Sequence, residues 1–116
     1  MSRRSSTALL NDMLDHAKEA VAFVQGHSRA DLDTNRLLNL ALVRLMEIVG
    51  EAARQIPKSA QASYPQIPWP QIVSLRNRLI HGYDSVDLDI LWQIITADLP
   101  PLIASLEQIL ADKHKQ

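Results

Sequence analysis

Cysteine is absent from this 116-residue chain. That excludes disulfide frameworks, thiolate metal sites and cysteine nucleophiles. Aromatic residues make up only 4% and there are only 3 glycines, a mixture that favours helix over sheet. An excess of charge of one sign is missing too. Lys plus Arg is 12 and Asp plus Glu is 13, for a formal net charge of -1. The balance gives no global sign of nucleic-acid binding, so any RNA or DNA contact must come from a local patch. No uninterrupted apolar run reaches the roughly 18 residues that a membrane span needs. A secretory signal needs an apolar stretch behind its basic start. Here Asn11, Asp12 and Asp15 break the segment that follows the polar Met1–Ser6. The expected location is the cytoplasm, with no membrane contact.

What is present is aliphatic. Hydrophobic residues are 47% and are dominated by Leu, Ile and Ala, which argues against disorder. A chain of this length can bury a core as one domain, 1–116. Leu10, Leu14, Ala17, Val21 and Val24 recur at helical steps over 6–25, with Ser6 as a cap and Gly26 as a stop. Asp31 or Asp33 opens a second helix that runs to about Ile56. Its stripe is Leu38, Leu42, Leu45, Val49, Ala52 and Ile56, widened by Leu37, Leu40, Ala41 and Ile48. A helix apolar around so much of its circumference is central in a bundle or buried in a dimer. Residues 57–70 hold four of the six prolines and read as the main loop. Pro70 suits the first turn of a third helix carrying Ile72, Leu75, Leu79 and Ile80, closed by Gly82. Asp84 to Asp87 make a turn. Asp87 caps a fourth helix to about Asp98. Pro100-Pro101 then bends the chain into a fifth helix, whose tail, Lys113 to Gln116, should fray. The expected architecture is an all-α, four- to five-helix antiparallel bundle.

One stretch carries chemistry: Arg76-Asn77-Arg78-Leu79-Ile80-His81-Gly82-Tyr83. Histidine titrates near neutral pH and serves as a general acid or base. Arginine offers a planar fork of donors to phosphate oxygens and stabilises transition-state charge. Arg76-x4-His81 alone is a weak pattern, and Tyr83 two positions later sharpens it. On a straight helix, residues five apart differ by about 140°, so Arg76 and His81 would not converge. Either the helix ends before His81, or residues from two chains meet across a dimer axis.

These residues, with Trp69-Pro70-Gln71-Ile72, Leu91-Trp92, Asp98-Leu99-Pro100 and Ile48-Val49-Gly50-Glu51-Ala52-Ala53, resemble the HepT-like branch of the HEPN superfamily. The likeness runs from the first helix to the last, with the R-x4-H-x-Y motif intact. The resemblance implies a small helical toxin that dimerises so that both motif copies line one cleft. It implies cleavage of RNA, such as tRNA or mRNA, without a metal or other cofactor. It also implies a partner, a minimal nucleotidyltransferase antitoxin of the MntA type, which transfers AMP to the motif tyrosine and silences the toxin. Carried over by position, Arg76 and His81 are the catalytic pair and Tyr83 the AMP acceptor. Asn77 matches a polar position that orients groups around the site. Arg78 is a supporting cation that, like Arg76, could pair with the added phosphate.

Plainer roles stand beside these. Arg76 could be an exposed helix arginine in an ion pair. His81 could be a helix C-terminal or packed histidine. Tyr83 could be an interface aromatic, Asn77 a local hydrogen-bond partner, and Arg78 a solvated or phosphate-positioning residue. Glu47 and Glu51 read as helix-face ion-pair partners of Arg44 and Arg54 rather than as paired catalytic carboxylates. Gly50 permits a close helix approach, within the chain or in a dimer. Trp69 and Trp92 read as core or interface anchors. His16, His27 and His114 have no partners at ligand spacing, so no metal site is expected. Asp84, Asp87 and Asp89 read as turn and cap residues that would repel RNA. Three functions compete: the ribonuclease, a catalytically silent helical subunit of a nucleotidyltransferase, and a generic scaffold or DNA-binding protein.

Overall fold

The computed structural model describes residues 4–83 and 85–115. The polar start at 1–3, Asp84 in the expected turn, and Gln116 lie outside the described residues.

α1 spans Ser6–Phe23. Its cap is Ser5 rather than Ser6: the Ser5 hydroxyl accepts the Ala8 N–H at 3.1 Å. The helix stops at Phe23, before Gly26. It buries Leu9, Leu10, Met13, Ala17 and Ala20, while Leu14 and Val21 lie at the edge of the core.

The second expected helix is two. α2, Asp31–Thr34, is one turn, and α3 is Arg36–Gln55. Asn35 interrupts them because its side chain accepts the Leu38 N–H at 3.0 Å, capping α3. Asp31 accepts the Ser28 N–H and pairs with His27. Those bonds hold its carboxyl below the usual range, the backbone bond contributing most.

The α3 stripe is buried as read, from Leu38 through Leu42, Leu45, Val49 and Ala52 to Ile56. The widening is not. Leu37 is 80% exposed and Leu40 is 49% exposed. α3 is therefore central on one side and open on the other.

The proline-rich segment is not all loop. α4, Lys58–Ala62, starts directly after Pro57, whose fixed φ suits a helix entry. The third expected helix splits into α5, Trp69–Val73, and α6, Leu75–Leu79, at Ser74. Ser74 leaves helical geometry (ψ 11°), and its hydroxyl donates to the Pro70 carbonyl at 2.7 Å.

α7, Leu88–Gln93, is capped by Asp87 as expected, through the Ile90 N–H at 3.0 Å. A π-helical turn, Ile94–Asp98, then leads into α8, Leu99–His114. Pro100 and Pro101 thus fall in the first turn of α8. They cannot donate to preceding carbonyls, and the π turn takes up that interruption without ending the helix. α8 is helical to His114, so the helix includes Lys113 and His114 of the expected tail.

By length and composition, Leu88–His114 is apolar enough to cross a membrane. Here its apolar residues Leu91, Ile94, Ile95, Leu99, Leu102, Leu106, Ile109 and Leu110 are buried in the core. α1 packs against both α3 and α8, and α5 and α6 lie across α3.

Gly50 sets that last crossing. A Cβ built there would lie 3.1 Å from the Ile72 carbonyl oxygen and 3.6 Å from Leu75 Cβ. The close approach is thus within the chain. Gly50→Val should lower stability by about 1–3 kcal/mol through overpacking. A thermal or urea melt checks it, and an unchanged midpoint would mean that α5 yields freely.

Candidate functional site

The site is built outward from α5. Pro70 sits in its first turn, where the missing N–H costs nothing. Trp69 is buried and anchors the start, its Nε1–H shared between the Gln61 and Tyr64 carbonyls at 3.0 Å each. Trp69 is therefore a core anchor, and Trp92 packs partly buried against the same core. α6 buries Leu75 and Leu79. Burying those two turns Arg76 and Asn77 into solvent and leaves Arg78 at the margin.

α6 ends at Leu79, three residues before Gly82. Ile80 is extended (φ −104°, ψ 115°) and forms an isolated antiparallel bridge with Val86. His81 N–H donates to the Ser85 carbonyl at 2.8 Å, and Asp87 N–H donates to the Leu79 carbonyl at 2.8 Å. These bonds close the neck of a short loop. Gly82, at φ +156°, follows His81 in a backbone region that L side chains rarely adopt. His81 has therefore left the helix that carries Arg76, the first of the two ways past the 140° problem.

Arg76, Arg78 and His81 each stand near a carboxylate from another element. Arg76 Nε lies 3.5 Å from Glu47 Oε2 of α3. Arg78 Nη2 lies 3.9 Å from Asp98 Oδ2 at the end of the π turn. His81 Nε2 lies 3.8 Å from Asp87 Oδ2 at the α7 cap. Glu51 pairs with Arg54 at 3.3 Å as expected, but Glu47 turns to Arg76 instead of Arg44. Asp89 is taken by Arg29 at 2.7 Å, a hydrogen bond that raises the guanidinium's pKa. The expected basic patch is thus offset by three acids within ion-pair range. These pairs are solvent-exposed, and such pairs contribute only about 0–1 kcal/mol each. They hold the two guanidiniums in place without consuming them, since a phosphodiester anion competes well for an exposed guanidinium. Asn77 is exposed beside Arg76, and Tyr83 is fully exposed at 107%. Tyr83 is therefore not packed within its own chain.

Glu47, Asp87 and Asp98 are the site-facing residues that the sequence did not assign to it. Only Asp87 carried a local signal, its position just before an apolar helix.

A small all-α domain with an R-x4-H-x-Y segment that leaves its helix before the histidine is a domain of HEPN type. The family described as ribonuclease HepT-like matches residues 13–109, a span that contains the whole motif. Among curated relatives, "Putative RNase MJ1380" of Methanocaldococcus jannaschii is 35% identical over 107 residues, covering 92% of this chain and 98% of that protein. "Putative RNase MJ0125" of the same organism is 30% identical over 116 residues, covering 100% of both. "Probable ribonuclease HepT" of Thermococcus cleftensis is 31% identical over 102 residues, covering 84% of this chain and 93% of that one. No solved structure gives a significant match. The chain belongs to the HepT-like ribonuclease family.

Proposed function

We propose that this protein is an endoribonuclease of the HEPN type and the toxin of a toxin–antitoxin pair. Family membership supports the activity. The observation that carries the site is the end of α6 at Leu79, which frees His81 from the helix carrying Arg76 and Arg78. In the proposed reaction an RNA 2′-oxygen attacks the adjacent phosphorus and the bond to the 5′-oxygen breaks. His81 takes the 2′ proton or gives one to the departing 5′-oxygen. Arg76 stabilises the added charge on the phosphorane, so the guanidinium supplies the positive charge that a metal would otherwise bring. Arg78 and Asn77 position the strand. The products are a 2′,3′-cyclic phosphate and a 5′-hydroxyl.

Silencing is assigned to Tyr83. A partner nucleotidyltransferase of the MntA type would transfer AMP from ATP to the phenolic oxygen and release pyrophosphate. The added phosphate would then compete with RNA for Arg76 and Arg78. Full exposure of Tyr83 supports this reading, since the hydroxyl must enter another enzyme's active site. A homodimer is part of the proposal. Leu37 and Leu40 are exposed on the same α3 face as Glu47, at steps of three, four and three through Arg44.

The carboxylates near Arg76, Arg78 and His81 favour a second reading, a non-catalytic helical subunit of the nucleotidyltransferase. One experiment separates them. Protein made without its partner, with an intact mass showing no AMP, is incubated with tRNA and mRNA in chelator. The ribonuclease reading expects 2′,3′-cyclic phosphate ends. Uncut RNA from unmodified protein would favour the silent subunit.

A further inference from the structure

Beside the motif lies a groove of about 420 Å³, bounded by α5, α6, the π turn and the start of α8. That volume falls within the roughly 300–1,000 Å³ of small-ligand sites. Ile72, Leu75 and Leu102 give it apolar walls, and Gln71, Arg78 and Asp98 stand among its polar groups. We propose that this groove is a nucleobase subsite that selects guanine in the RNA strand cut by the motif. The inference rests on the ribonuclease reading for its biological role, but not for the binding itself.

Asp98 carries the argument. It ends the π turn in helical geometry (φ −89°, ψ −36°), inside a helix that runs on into α8. Its side chain makes no capping bond. Among the described residues its one ionic neighbour, Arg78, stands at 3.9 Å, beyond hydrogen-bond range, so both carboxylate oxygens keep their acceptor capacity. The π turn that delivers Asp98 is a rare geometry, found mostly as single turns and frequently at functional sites.

A carboxylate with both oxygens available suits guanine, whose Watson–Crick edge presents N1–H and the N2 amino group side by side. Adenine and cytosine offer one amino group and uracil one imide N–H. The apolar walls cover the base faces, and the Gln71 amide can donate to O6 or N7. Arg78 belongs to both places: it lines the groove, and it is three residues from His81. The Cα atoms of Arg78 and His81 are thus at most about 11 Å apart, which sets the groove and the motif within reach of one strand.

The test is a titration of the full chain with GMP, AMP, CMP and UMP, followed through the backbone amide resonances of Ala97 and Asp98. GMP should bind about tenfold or more tightly than the others, the discrimination expected of a bidentate base contact. Asp98→Asn should erase that preference, and Gln71→Ala should weaken GMP binding with the fold intact. Equal binding of all four nucleotides, or no binding at those amides, overturns the subsite. In RNA digests, cuts should cluster beside guanines and free GMP should inhibit them. Cleavage that ignores base identity also overturns the proposal. Selective GMP binding by a chain that cuts no RNA upholds the subsite as a free-nucleotide site and removes the ribonuclease reading instead.

Discussion

Replacing His81 by alanine should lower the rate of RNA cleavage by about 10²–10⁴-fold, the range that general acid–base groups contribute. The fold should hardly notice. His81 is half-exposed, and among the described residues its ionic neighbour is Asp87, at 3.8 Å. Its backbone N–H bond to Ser85 survives the substitution. The melting midpoint should therefore stay within the range of ordinary surface changes, about 0.5 kcal/mol. Arg76→Ala should cost about 10²–10³-fold, the scale of losing one transition-state charge partner. Single-turnover cleavage of a defined RNA, beside a thermal melt of each variant, checks both. Cleavage by His81→Ala at the wild-type rate would remove His81 from the mechanism and reopen the search among the groups around Arg76.

Tyr83→Phe should abolish adenylylation outright. The substitution removes one oxygen from a side chain that packs against nothing in its own chain, so stability should not change. The chain has 2 tyrosines, which makes the control internal. Tyr64 is partly buried, and its hydroxyl is 3.4 Å from Lys113 Nζ, a poor position for transfer to another enzyme. With the partner nucleotidyltransferase and ATP, the wild type should gain AMP by intact mass and lose cleavage. Tyr83→Phe should gain nothing and keep cutting. A Tyr83→Phe chain that still gains AMP would place the acceptor elsewhere. One that stays unmodified but is still silenced would mean that the partner blocks the cleft by binding.

The long-range features of the site were the ones hidden in the sequence. Helical stripes are local, so the α3 core from Leu38 to Ile56 was legible from spacing alone. So was the Asp87 cap. The α2/α3 boundary was missed because Asn35 lies in a polar stretch, Asp33-Thr34-Asn35-Arg36, that a first helical turn also tolerates, and its side-chain bond to Leu38 N–H reveals it as a cap. The early end of α6 was one of two open alternatives. Seeing it needed the Ile80–Val86 bridge, a contact that no helix pattern encodes. The Glu47–Arg76 and Asp98–Arg78 pairs join residues far apart in sequence. Local charge patterning assigned Glu47 to Arg44 because three-residue spacing was the only geometry available to it.

The π turn has a consequence for how such chains differ in length. It spends an additional residue within Ile94–Asp98, while Leu91 before it, Ile94 and Ile95 within it, and Leu99, Leu102 and Leu106 after it all remain buried. An α-helix turns by about 100° per residue. The wide turn absorbs the additional residue, so deleting a single residue there should close it to an α-helical turn and leave α7 and α8 in phase with the core. Relatives that keep an unbroken α-helix here should be one residue shorter at this point, and an alignment should place the gap between Ile94 and Leu99.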